Sequence, residues 1–234
     1  DGGVRNIVWP TVGLWHVSGA GGDIILVLGP EPSLKWRTFS EQLMGVADHF
    51  GASMMLTLGA LLADVPHSRP VQIIGTATDD DLIDRFELQR SRYEGPTGIL
   101  GILQSEFEVQ GIPSVALWAA LPHYVASPPC PKATLALIRG LEDLLDTAIP
   151  VVELVEEARA WQLGVEELST DDEEISEYVR ALEETQDTAE LPEATGELHI
   201  KLGIFRDNED SAISFKGSVN ETWTGWHERG NHET

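Results

Sequence analysis

Three short stretches carry the side chains most able to move a proton or hold an anion. The first runs from Gly59 to Pro70 and places Asp64, His67 and Arg69 within six residues. A carboxylate, an imidazole and a guanidinium so close together suit acid/base work or anion binding. The same groups also suit a turn tied down by its own side chains. The second stretch, Ser91–Gly98, offers Arg92, Tyr93 and Glu94, and then Gly95, Thr97 and Gly98 lead into a helix. Unpaired N–H groups at a helix start can bind phosphate or carboxylate, with Arg92 as a forked donor, or they can simply be capped. The Gly-Lys-Ser/Thr ending of a P-loop is absent. The third stretch holds His123 and Tyr124, followed by Cys130, Pro131 and Lys132. His123 is a base, a ligand or a hydrogen-bonded loop histidine. Cys130 would need a neighbouring base to act as a nucleophile, and none stands beside it in sequence.

Each stretch follows or precedes an apolar run that reads as a buried strand or a helix. Ile7–Val17 and Ile24–Leu28 are β-rich. Phe39, Leu43, Val46 and Phe50 recur at helical spacing after a Thr38/Glu41 capping box and stop at Gly51. Met54–Leu58, Val71–Ile74 and Ser114–Ala120 are short runs suited to strands buried on both faces. Asp79–Leu88 and the stretch from Ile99 to Phe107 read as helices, and Pro131 opens a longer one through Leu145. The alternation predicts an α/β fold over residues 1–150: a three-layer α/β/α sandwich with a mixed, mostly parallel sheet. In such a sheet, ligands sit beyond the carboxyl ends of the strands, where the first and third stretches fall.

Residues 151–190 change character. Val151, Leu154, Val155, Ala158, Trp161, Val165 and Leu168 form one helical stripe. A second capping box at Thr170/Glu173 precedes Ile175, Tyr178, Val179 and Leu182. This is an acidic helical hairpin whose stripes need a partner surface. Between Val151 and Glu197 stand sixteen acidic residues against two arginines. More than half of the net charge, −14 of −24, therefore sits on this segment, either as a solvated face or as a surface for a basic partner. Residues 191–234 weaken into a polar tail expected to be poorly ordered, in which Leu198–Phe205 reads as a strand or as part of a helix.

The 234 residues carry a net charge of −24, which repels phosphate backbones and argues against nucleic acid as a partner. No run of about 18 apolar residues suggests a membrane span, and the first residues lack a signal-peptide pattern. The single cysteine fits a reducing compartment, so a cytoplasmic location is expected. No metal-ligand spacing, dinucleotide fingerprint or G-x-S-x-G elbow is present, so no metal or cofactor is expected.

The order of these segments carries a resemblance. Ile7-Val-Trp-Pro10, Gly29-Pro-Glu-Pro32 and Lys35-Trp-Arg-Thr-Phe39 come first. They are followed by Leu58-Gly-Ala-Leu-Leu-Ala-Asp-Val-Pro-His67, Ser91-Arg-Tyr-Glu-Gly-Pro-Thr-Gly98 and Leu117-Trp-Ala-Ala-Leu-Pro-His-Tyr124. Pro131-Lys-Ala-Thr134, Asp171-Asp-Glu-Glu174 and Tyr178-Val-Arg180 close the series. Together they resemble the actinobacterial members of the proteasome assembly chaperone family, over about three-quarters of the chain. The resemblance implies a fold similar to purine nucleoside phosphorylases, self-association into a homo-oligomer, and a protein partner related to the proteasome. It supplies no catalytic residues. Relatives begin with a further strand and helix that this chain is expected to lack, and its His232-Glu233-Thr234 ending is not the hydrophobic-Tyr-any ending of ring-docking relatives. The function expected is a non-catalytic oligomeric assembly or scaffold protein. The alternative is a phosphorylase-like enzyme, or a small-anion or nucleoside binder.

Overall fold

A computed structural model describes residues 8–19, 22–90, 97–125, 129–188, 194–207 and 212–218; for Gly19 and for 194–218 the description is of the backbone alone. In chain order the elements are β1 (Gly13–Gly19), β2 (Gly22–Leu28), α1 (Trp36–Phe50), β3 (Ala52–Ala63), β4 (Ile73–Ala77), α2 (Asp80–Phe86) and β5 (Gln89–Arg90). Then come α3 (Ile99–Val109), β6 (Ser114–Pro122), a 3₁₀ turn at His123–Val125, α4 (Pro131–Leu145), α5 (Val152–Asp171), α6 (Glu173–Thr188), β7 (Ala194–Asp207) and β8 (Ala212–Ser218).

The layers follow from strand alternation. Met55 and its partners Ile25 and Val27 face α1 and α3, in a core with Leu43, Leu103 and Phe107. Met54, Leu56 and Leu58 point to the opposite face, where they meet Val115, Leu117 and the α4 residues Leu141, Leu144 and Leu145. Side chains one residue apart on a strand serve opposite faces, so a strand apolar at nearly every position must be covered on both sides. Phe107 and Leu103 are fully buried. Each contributes about 1.5–3 kcal/mol of apolar burial relative to exposure. The result is the α/β/α arrangement expected, with α5 laid against α4 on the outside of one helical layer.

The sheet has eight strands in the order β1-β2-β7-β8-β3-β6-β4-β5. It is mixed, as expected, but not mostly parallel. β3 and β6 run parallel from Leu56/Val115 to Ala63/Pro122, whereas β1–β2, β2–β7, β3–β7, β4–β6 and β7–β8 are antiparallel. The physical reason lies in the connections. β3 and β4 are joined by residues 64–72 without a helix, too short for the crossover that parallel neighbours need. β4 therefore runs against β3 and β6.

Three local expectations also change. Helix α1 starts at Trp36 behind Lys35 in a left-handed conformation, so Thr38 is inside the helix rather than its cap. Helix α5 runs through Thr170 to Asp171, and the cap of α6 is Asp172, whose Oδ1 accepts the N–H groups of Glu174 and Ile175 at 3.0 and 3.2 Å. Residues 194–207 and 212–218 enter the sheet as β7 and β8 rather than forming a loose tail. Their backbones gain ladder hydrogen bonds from β2 and β3 that a polar sequence does not advertise. Residues 219–234 lie outside the described residues.

Candidate functional site

The parallel pair β3 and β6 ends at Ala63 and Pro122. The residues that follow, Asp64–Arg69 and His123–Tyr124, therefore leave the sheet side by side at its carboxyl edge. Asp64, His67, Arg69, His123 and Tyr124 gather there. Of the other candidates, Arg92, Tyr93, Glu94 and Gly95 lie outside the described residues. Thr97 and Gly98 begin α3, on the α1 side of the sheet. Thr97 is exposed, and the Gly98 carbonyl accepts the N–H of Ile102. Among the described residues, neither Thr97 nor Gly98 shares a hydrogen bond with the gathered group.

His67 is the centre of the group, and its whole residue is 2% exposed. Its Nδ1 lies 2.8 Å from the Tyr124 hydroxyl, and its backbone N–H donates to the same oxygen at 2.8 Å. Its Nε2 lies 3.0 Å from Glu166 Oε2 on α5. The carboxylate can only accept, so the neutral ring that satisfies every partner carries its proton on Nε2 and accepts the Tyr124 O–H at Nδ1. Burial pushes the Tyr124 phenol up to about 12. Lys132, in the first turn of α4, donates from Nζ to the carbonyls of His67 (2.5 Å) and Arg69 (2.7 Å). Burial lowers its pKa. The loop is thus clamped from below by a lysine and from the side by a tyrosine.

Helix α6 closes the rim from above. Arg69 takes Asp187 in a two-pronged pair, with Nε to Oδ1 at 2.9 Å and Nη2 to Oδ2 at 2.8 Å, and also reaches Glu183 Oε1 at 3.2 Å. The hydrogen bonds from Arg69 hold the Asp187 carboxyl below its usual range, and the pair raises the arginine still further. The Ser68 hydroxyl donates to Glu183. The Tyr178 hydroxyl donates to Asp64 Oδ1 at 2.9 Å, and His123 Nδ1 is 3.2 Å from the same oxygen. Burial first, and then the bond to Asp64, push Tyr178 up to about 12. His123, Tyr124 and Tyr178 meet edge to face, with ring centroids 5.4–6.0 Å apart.

This arrangement has clear chemical consequences. Asp64, His67, Arg69, His123 and Tyr124 are engaged with one another and with the hairpin. Between hairpin and loop, the space bounded by His67, Arg69, Gln72, Cys130, Lys132 and Trp161 is 10 Å³, room for one water. Cys130 lies half-buried beside it, with burial pushing its thiol up, the opposite of what a nucleophile needs. A wider, shallow groove of about 400 Å³ runs between α4 and α5 past Leu135, Val155 and Leu163. Among the described residues, no group of three or more His, Cys, Asp or Glu side chains could hold a metal ion.

Sequence reasoning found the rim but missed the side chains that close it: Glu166, Tyr178, Glu183, Asp187 and the clamp Lys132. On α6, Tyr178 and Leu182 form one i, i+4 pair and Glu183 and Asp187 another.

Comparison with known proteins places the chain among relatives. The sequence model of the PAC2 family matches residues 1–169. A crystal structure of a PAC2 family protein from Streptomyces avermitilis is 51% identical, with a TM-score of 0.67, over 76% of this chain and 77% of that one. A Mycobacterium tuberculosis protein described as a proteasome-assembly chaperone homologue is 45% identical, with a TM-score of 0.67, over 75% of each chain. An uncharacterized protein of Methanocaldococcus jannaschii is 24% identical over 165 residues, 68% of this chain. The chain spans 62% of that curated relative's length.

Proposed function

The chain belongs to the PAC2 family, and on that premise we propose that it is a non-catalytic, self-associating assembly or scaffold protein whose partner is a protein of the proteasome core. The observation that carries this reading is the closure of the rim. At the rim, Asp64, His67, Arg69 and Tyr124 are hydrogen-bonded within the chain, His123 lies against Asp64, and the space enclosed between loop and hairpin admits one water. A substrate pocket ordinarily offers about 300–1,000 Å³ with a few unspent polar groups; the shallow groove of about 400 Å³ between α4 and α5 has that size, but none of Asp64, His67, Arg69, His123 and Tyr124 lines it. The kinship with a proteasome-assembly chaperone homologue supports the choice of partner. Among the described residues, no helix is long and apolar enough to cross a membrane.

The test has two arms. Thermal unfolding is measured with inorganic phosphate, nucleosides and nucleotides, each up to millimolar concentration. A ligand at 100 times its Kd would stabilise the fold by about 2.7 kcal/mol. No shift is expected, and a saturable shift from any of these ligands overturns the non-catalytic reading in favour of a small-anion or nucleoside binder. In the second arm, the full chain is mixed with proteasome core subunits from its own source. Co-elution, or a changed rate of core assembly, is expected. Its absence removes the proteasome partner.

A further inference from the structure

The closing helix α6 is joined to the molecule in an unusual way. One residue, Asp172, separates the end of α5 at Asp171 from the start of α6 at Glu173, and it is extended, with φ −117° and ψ 115°. Turning that one residue to helical angles, about −63° and −42°, would fuse α5 and α6 into a single helix from Val152 to Thr188. At 1.5 Å per residue such a helix is roughly 55 Å long, and its last 16 residues would project away from the body. The cap that Asp172 provides to Glu174 and Ile175 would be exchanged for ordinary intrahelical bonds.

Little apolar surface holds α6 in place. Val179 and Leu182 are its buried residues, the Tyr178 ring meets His123 and Tyr124 edge to face, and its remaining links to the rim are polar: Tyr178 to Asp64, Glu183 to Ser68 and Arg69, and Asp187 to Arg69. None of these contacts depends on the two sides belonging to one chain. We propose that α6 is exchangeable: in a dimer, each copy's α6 docks on the Asp64–Arg69 rim of a second copy of this chain, with Asp172 as the hinge. The docked contacts are then the same in the closed monomer and in the dimer. The balance is set by the Asp172 backbone and by the association entropy, which is why exchange of an identical element is a low-cost route to a two-fold dimer. The inference rests on the docking role of the rim and extends the proposed self-association to a specific mode. It does not depend on the proteasome partner.

Reciprocal charge reversal tests it on the full chain. Arg69→Glu repels its own α6, and so does the double variant Glu183→Arg/Asp187→Arg. When the two are mixed, both rims meet complementary helices, but only across the dimer. Native mass spectrometry is expected to show the mixed dimer at least tenfold above either homodimer, with each variant alone monomeric. Equal dimers, or monomers only, overturn the proposal. Circular dichroism checks that each variant is folded. Should either fail to fold, the hinge decides. Asp172→Ala, which favours the straight helix, should raise the dimer share several-fold at fixed concentration, and a Gly-Ser-Gly-Ser insertion after Asp172 should lower it. Unchanged shares in both overturn the exchange. A monomeric outcome leaves the ligand-panel and core-assembly results standing, so the two failures are distinguishable.

Discussion

The two tyrosines at the rim show what burial does to individual residues. Burial, the leading cause in each, pushes both phenols from their ordinary 10.0 up to about 12. The direction of the pH effect follows. Between pH 10 and 12 the unfolded chain releases these protons while the folded chain keeps them. The folded state therefore binds more protons, and stability falls as pH rises. The contribution is fully present below pH 10 and lost by about pH 12. The urea midpoint is expected to decline steeply over that interval in the wild type. It should decline less in Tyr124→Phe/Tyr178→Phe, once each curve is normalised to pH 9. Parallel curves for the two proteins would refute the assignment. His67 gives the same lesson in reverse: beside Asp64 and Arg69 it looks catalytic in sequence, yet in the structure it is a buried imidazole satisfied by a phenol on one nitrogen and a carboxylate on the other.

At the scale of elements, the close fit of β3 against β6 makes a sharp prediction. Gly59 pairs with Trp118 across the parallel ladder. A Cβ added at Gly59 would lie 2.1 Å from Trp118 Cζ3 and 2.3 Å from Cε3, too close for any real contact. The tryptophan would have to leave its rotamer, and overpacking of this kind costs about 1–3 kcal/mol. Gly59→Ala should lower the urea midpoint accordingly with an unchanged m-value, and an unchanged midpoint would show that the ring moves freely. The same elements show what was legible beforehand. β3, β6, α1, α3 and α4 announce themselves because each buries a continuous apolar run or stripe. β8 does not, and β7 shows only in Leu198–Phe205, readable as a strand or as part of a helix, because their place in the sheet comes from backbone pairing with β2 and β3, more than a hundred residues earlier. The strand directions were misjudged because hydrophobic pattern gives burial, whereas direction depends on connection length. For the candidate site, Asp64, His67, Arg69, His123 and Tyr124 were visible as polar residues at strand ends. Their partners were not: an acidic helix reads as solvated until the cations it meets are known.

On the scale of the whole molecule, two electrostatic effects of opposite sign operate together. The chain carries −24 net charges, so its compact state repels itself. The α6 latch is instead an attraction of solvent-accessible ions, half-buried Arg69 and Glu183 with exposed Asp187. Raising sodium chloride from 0.01 to 1 M shortens the screening length from about 30 Å to about 3 Å, which weakens both. Relief of the long-range repulsion should raise the midpoint of global unfolding by a few degrees. Loss of the local attraction should loosen α6, so that its amides exchange with deuterium several-fold faster while those of β3 and β6 do not accelerate. Hydrogen exchange read by mass spectrometry at constant pH separates the two effects, because α6 opens without the core. Slower exchange at α6 in high salt would mean that Val179 and Leu182, rather than the arginine fork, hold the helix down. The reciprocal charge-reversal experiment would then lose its driving force.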